Sequence, residues 1–211
     1  MSTTWKNIKI KSSVGKFYES SKTAIDGWEE VETKEHGTRW HRVFSNLKGK
    51  LTKIAIDEEG QFGDRLKIYV ETGTDEVSVL EINLFNTNKS INDYVKSLCQ
   101  RLGNVNLGDE VDIFLNTKYK DKKDFLNKFV VVKVLDSIVE KSINKEDVPK
   151  WEEKPDPIKK GKMVWDRTAE TAFYYEYLTN WVNENSPAQD TEETTPVVAE
   201  TTVVADENLP F

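Results

Sequence analysis

One cysteine, Cys99, and two histidines, His36 and His41, are all that 211 residues offer as thiol or imidazole ligands. A lone thiol excludes an internal disulfide and a cysteine-based zinc site, and two imidazoles are too few for a histidine-rich metal centre. The same scarcity leaves no supportable Ser-His-Asp arrangement, and neither a glycine-rich phosphate loop nor an internal repeat is present. No apolar run approaches the roughly 18 residues of a bilayer span, and the opening Met-Ser-Thr-Thr-Trp-Lys lacks a secretory apolar region. The expectation is a soluble cytoplasmic protein with no membrane partner, no metal and no cofactor, acting by binding rather than by catalysis.

Positive charge is missing from one end. All 30 Lys and Arg residues lie at or before Arg167, where they face 28 carboxylates, whereas nine carboxylates and no cation follow it. The acidic pI of about 5.1 therefore reflects a tail and does not exclude a basic groove elsewhere. From Ser186 onward the chain is mostly Pro, Ala, Thr, Glu and Val, with no basic residue and no aromatic before Phe211. Such a composition cannot offset chain entropy by burial, so residues 186–211 are expected to be disordered. A solubilising role alone would explain that charge.

Between Arg39 and Asp136 the pattern predicts three strands, a helix and two strands. Residues 50–57 alternate, and the turn Glu59-Gly60-Gln61-Phe62-Gly63-Asp64 follows. In residues 65–71 Leu66, Ile68 and Val70 take one face and Arg65, Lys67 and Tyr69 the other, the period of a half-buried strand. Thr72-Gly73-Thr74-Asp75 closes a hairpin, and residues 77–85 form a third strand with Leu80, Ile82 and Leu84 opposite Glu81, Asn83 and Phe85. Ser90 with Asp93 three residues later signals a helix start, and Ile91, Tyr94, Val95, Leu98 and Leu102 keep helical spacing up to Gly103. Strands at 111–119 and 125–135 complete the order of an OB-fold, a five-stranded Greek-key barrel with its helix between strands 3 and 4. The fold class is thus mainly β, and other small barrels remain open.

Single-stranded nucleic acid on an OB-fold crosses strands two and three and the loops joining strands one to two and four to five. This places Arg65, Lys67 and Tyr69 on the groove, with Lys50 and Lys53 on the first strand and Phe85 and Lys89 after the third. The fourth–fifth connection, Lys118-Tyr119-Lys120-Asp121-Lys122-Lys123-Asp124-Phe125 followed by Lys128, is the most basic segment with interleaved aromatics. Cations there would track phosphates and rings would stack on bases. The competing reading is that exposed lysines only solvate a strand and that rings such as Phe85 belong to the core.

The flanks add elements. Residues 1–37 predict one or two extra strands joined to the barrel domain at 38–148. In Gly37-Thr38-Arg39-Trp40-His41-Arg42-Val43-Phe44 either Trp40 with Arg42 or His41 with Phe44 shares a face with the ligand; alternation leaves the face open. Pro149, Pro155 and Pro157 mark a connector within 149–185, and a helix starting near Asp166 or Thr168 packs on the barrel in preference to pairing two subunits. Carboxylates at Asp109 and Asp112, or Asp57, Glu58 and Glu59, keep a metal-dependent nuclease as a minor alternative.

Gly49-Lys50-Leu51-Thr52-Lys53-Ile54, the strand from Gly63 to Val70, and the final Asp206-Glu207-Asn208-Leu209-Pro210-Phe211 together resemble bacteriophage single-stranded DNA-binding proteins. The tip is similar to the acidic, Ile-Pro-Phe-terminated tails of bacterial and phage members, with Leu209 in place of isoleucine. The resemblance implies sequence-independent coating of exposed strands during replication, recombination and repair in a bacterial host cell. It also implies that Asp206, Glu207, Leu209, Pro210 and Phe211 recruit a polymerase, helicase or primase. An OB-fold module for RNA or protein is the alternative from another functional class, followed by a purely structural protein.

Overall fold

The computed structural model describes residues 3–11, 14–34, 37–58, 63–119, 126–156 and 161–186. It is mainly β. The centre is β5 (Asn46–Asp57), whose twelve residues serve two partners. Its first part, Asn46 to Lys50, pairs antiparallel with β8 (Glu110–Tyr119), and its remainder, from Lys50 to Asp57, pairs with β6 (Arg65–Gly73). The handover occurs at Gly49 and at a register shift between Leu51 and Lys53. Such an irregularity bends and twists a strand. A Cβ on Gly49 would lie 2.2 Å from the Glu71 carbonyl oxygen and 3.0 Å from Val70 Cγ1, so the crossing is possible only for a residue without a side chain.

Hairpin partner β7 (Glu76–Asn83) continues the sheet beyond β6, and β9 (Leu126–Val134) continues it beyond β8. Alternation places Leu66, Ile68, Val70, Leu80 and Ile82 in the core while Arg65, Lys67, Tyr69 and Glu81 face outward. The helix α1 (Asp93–Leu102) lies between β7 and β8 in the chain and packs on β9. Ser97 fastens it there by exchanging hydrogen bonds with the Val130 backbone, at 3.1 and 3.2 Å. The helix starts at Asn92, whose Oδ1 accepts from the Tyr94 amide, and not at the Ser90–Asp93 signal; Ser90 is buried and donates to Asn88.

Four strands precede this core, three of them within residues 1–37, where the sequence pattern predicted one or two, and the fourth over the Gly37–Phe44 segment. They are β1 (Thr4–Lys11), β2 (Lys16–Ser21), β3 (Glu29–Thr33) and β4 (Gly37–Phe44). The first runs parallel to β7, Thr4 opposite Glu76 through Ile8 opposite Leu80, and β2, β4 and β3 follow antiparallel. With the short β10 (Ser137–Ile138) on β9, the ten strands make one sheet ordered β10-β9-β8-β5-β6-β7-β1-β2-β4-β3. The expected closed barrel is therefore corrected. Among the described residues no ladder joins β7 to β9, and β1 takes the β7 edge from Glu76 to Leu80. The sheet instead curls until β2 contacts β5 and β8, and Ile8 and Phe17 join Leu47, Leu51 and Ile113 in one core.

The proline-marked connector contains a hairpin, β11 (Glu152–Pro155) with β12 (Met163–Asp166), ahead of α2 (Thr168–Asn185). The α2 side chains Tyr174, Leu178 and Trp181 are buried; Trp181 Nε1 donates to the Leu102 carbonyl at 3.0 Å and Gln100 donates to the Tyr174 hydroxyl at 2.9 Å. Cys99 is sealed beneath this contact, and burial pushes its thiol up to about 12. No described helix is long and apolar enough to cross a membrane.

Replacing Gly49 by Ala should cost about 1–3 kcal/mol, the range for overpacking a close contact. A fall in denaturant midpoint at constant m-value would report it, and a variant as stable as the parent would mean that the β5 crossing relaxes freely.

Candidate nucleic-acid interface

Cross-strand register builds a row on the outward face. Lys53 on β5 stands opposite Tyr69 on β6, Tyr69 opposite Val79 on β7, and Val79 opposite Asn7 on β1. Two residues back along β1, Trp5 reaches over diagonally and meets Tyr69 edge to face, with ring centroids 6.1 Å apart and planes at 89°. Lys53 Nζ lies 5.7 Å from the centroid of the Tyr69 ring. Trp5 is 60% exposed, far more than a packing tryptophan requires. An indole, a phenol and an ammonium thus share one open surface, the set that stacks bases and neutralises phosphates.

The next rows hold the expected phosphate cations in ion pairs. Lys67 Nζ is 2.7 Å from Asp57 Oδ2, and Arg65 Nη1 is 2.9 Å from Glu81 Oε2. The hydrogen bond to Asp57 holds the Lys67 ammonium above its usual range. Both pairs remain partly solvated, and such pairs are worth roughly 0–1 kcal/mol, so a phosphate can compete for either cation.

Other predicted residues separate. Trp40, Arg42 and Phe44 share one face of β4, and Arg42 donates to Glu19, a carboxylate only 6% exposed, at 2.9 Å. The same guanidinium lies over Trp28 and Phe44, which makes Arg42 a strut of the N-terminal strands. Phe85 packs on Tyr175 of α2 at 5.9 Å and belongs to the edge of the core. Lys50 is exposed at the β5 crossing, and Lys89 is exposed in a tight turn at φ 62°. Lys128 lies on β9 facing a pocket beside β1 and β7. The backbones of Lys118 and Tyr119 end β8; their side chains, together with Lys120, Lys122, Lys123 and the tip Asp206, Glu207, Leu209, Pro210 and Phe211, lie outside the described residues.

On the opposite face of β4 lies His41, the alternative ligand-facing residue of the sequence pattern, without the Phe44 that was grouped with it, in a second basic and aromatic group. His41 sits 4.8 Å from Tyr18 on β2, with Lys9, Lys11 and Arg39 around it. Partial burial first, then Lys11, Lys9 and Arg39, hold the imidazole below its ordinary 6.5, while Glu29 opposes them. Burial also raises the Tyr18 phenol. The signal existed as the alternations Lys9-Ile10-Lys11 and Arg39-Trp40-His41, but only the strand pairing shows that they converge.

The carboxylates weighed as metal ligands have other roles. Asp109 accepts from the Asn106 amide at 2.8 Å, Asp112 from Asn46 at 2.6 Å, and Glu58 from the Tyr175 hydroxyl at 2.6 Å. Among the described residues no three His, Cys, Asp or Glu side chains converge on a common point. Comparison with family models, curated proteins and solved structures returns no match for this chain.

The charge surrounding His41 is testable by NMR titration. The imidazole should titrate below 6.5, and replacing Lys9 and Lys11 by Met should move the midpoint upward, because each ammonium disfavours imidazolium. Glu29→Gln should move it further down. A midpoint indifferent to all three changes would separate these groups from His41.

Proposed function

We propose that this chain binds single-stranded DNA without sequence preference, coating strands exposed during replication, recombination and repair, and that it acts by binding and not by catalysis. The observation that carries the reading is the outward cluster of Trp5, Tyr69 and Lys53. The order β9-β8-β5-β6-β7, with α1 between β7 and β8, supports an OB-type core opened at one seam by β1. In such a core the faces of the second and third strands carry the nucleic acid, and those strands correspond to β6 and β7. Stacking is indifferent to base identity because every base has a π-face, and lysines are indifferent because every nucleotide has a phosphate. The acidic end belongs to the same proposal. Asp206, Glu207, Leu209, Pro210 and Phe211 would offer charge and an apolar plug to a polymerase, helicase or primase.

Gel shifts with single-stranded DNA, duplex DNA and single-stranded RNA of equal length test the reading, which requires a clear preference for the first. Trp5→Ala and Tyr69→Ala should each cost about 1–3 kcal/mol in that affinity, with unchanged melting temperature for the exposed Trp5. Equal affinity for all three ligands, or variants that bind as the parent does, would sink the proposal.

Removing the carboxylate that competes for Lys67 should work in the opposite direction. Asp57→Asn is expected to raise single-strand affinity at low salt and to steepen the log–log salt slope by about 0.7, the value for one further phosphate neutralised on a single strand. An unaltered slope would place Lys67 away from the strand.

A further inference from the structure

The strand β1 leaves β7 partway along. Its parallel pairing ends with Ile8 opposite Leu80, and from Lys9 onward it pairs with β2, Lys9 opposite Tyr18. Meanwhile β7 runs on to Asn83, paired with Arg65 of β6. Two strands that diverge leave a fork, and a pocket of about 280 Å³ occupies it. Lys9 and Tyr18 form one wall, Arg65, Glu81 and Asn83 the other, and Lys128 of β9 reaches in from the unclosed side of the sheet. Three cations and one carboxylate line the space, and that carboxylate, Glu81, is already engaged with Arg65 at 2.9 Å. The balance is therefore positive, contributed by strands far apart in sequence.

We propose that this fork is a second nucleotide subsite: it receives one nucleotide, with the phosphate between Lys9 and Lys128 and the base against Tyr18. This rests on the single-strand reading and extends it beyond the open platform. The volume lies just below the roughly 300–1,000 Å³ of small-molecule pockets, enough for one nucleotide and too little for a folded oligonucleotide. Tyr18 is only half-buried and is backed by His41, so it presents a supported ring. Arg65, Glu81 and Asn83 lie on the same outward sheet face as Tyr69, four residues from Arg65, or roughly 13 Å along the strand. An extended strand stacked on Trp5 and Tyr69 can follow β6 into the fork. The absence of a β7–β9 ladder among the described residues is what admits it.

The test uses the full chain, thymidine monophosphate and inorganic phosphate, with NMR resonances of Tyr18 and His41 as local reporters. Thymidine monophosphate should shift both and raise the His41 midpoint, because a bound anion favours imidazolium. It should also bind at least tenfold more tightly than inorganic phosphate. Lys9→Ala with Lys128→Ala should abolish the shifts, and should weaken single-strand binding while leaving the perturbation of Trp5 by oligonucleotide intact. Lys9 is exposed and Lys128 half-exposed, so the variant is expected to keep the parent melting temperature; the conservative Lys9→Arg with Lys128→Arg should restore binding if folding suffers. Three results overturn the subsite: no shift by the nucleotide, equal affinity for inorganic phosphate, or shifts that survive loss of both lysines. Failure of the single-strand reading would look different, with no oligonucleotide binding at Trp5 in the parent protein.

Discussion

The parallel ladder between Thr4–Ile8 and Glu76–Leu80 is the contact on which the remaining architecture turns. Without it β7 would present an unpaired edge, and a small five-stranded sheet would have to close on itself or remain exposed to aggregation. With it the edge is covered from Glu76 to Leu80 by a strand from the start of the sequence. Three consequences follow from the one register. Trp5 is carried to within 6.1 Å of Tyr69, the sheet is extended by β2, β4 and β3, and the departure of β1 after Ile8 opens the fork beside Lys9. Ile8 and Phe17, at 1% and 0% exposure, anchor that arrangement in the common core. Its hydrophobic burial contributes to the stability of both faces.

The second constraint is the double duty of β5. A strand paired with β8 at one end and β6 at the other must turn between them, and the turn brings its backbone against Glu71. Glycine is the only residue type that fits at position 49, where a Cβ would meet the Glu71 carbonyl oxygen at 2.2 Å. On β9 lies α1, which adds Tyr94, Val95, Leu98 and Leu102 to the core shared with β5, β6 and β7. From above, α2 seals α1 through Trp181 and Tyr174. The outward face of β6 and β7 stays open, because both helices are spent on the inner side.

Local periodicity is legible in the sequence, and partner choice is not. The alternation in Arg65–Glu71 and the helical spacing from Tyr94 to Leu102 are short-range patterns whose burial follows directly. Asn92 displaces Ser90 as the cap because an amide oxygen at that position reaches the Tyr94 amide, whereas Ser90 is turned inward to Asn88. Parallel pairing of residue 5 with residue 77 has no local signature, so nothing in the sequence pattern marks Trp5. The same blindness applies to charges. Arg65 and Lys67 read as phosphate cations along their own strand, while Glu81 and Asp57 stand on neighbouring strands and can be matched to them only by register. Arg42 departs from expectation for a similar reason: alternation assigns it a face, and Glu19 on β2 decides what that face does.

Those ion pairs bear on how a chain of net charge −7 could serve the proposed binding of a polyanion. A surface of uncompensated lysines would bind any polyanion, duplex included, through counterion release alone. Pairing Lys67 with Asp57 and Arg65 with Glu81 lowers the resting potential of the face, so that in the proposed complex electrostatics would give less and the rings of Trp5 and Tyr69 would supply more of the affinity. Stacking is available only from unpaired bases, since a duplex keeps its faces occupied. On the proposed function, selectivity for single strands would arise from muted charge as much as from the aromatic platform. A phosphate that displaced a carboxylate would exchange one partly solvated pair for another of similar strength, and the net discrimination would stay with the bases.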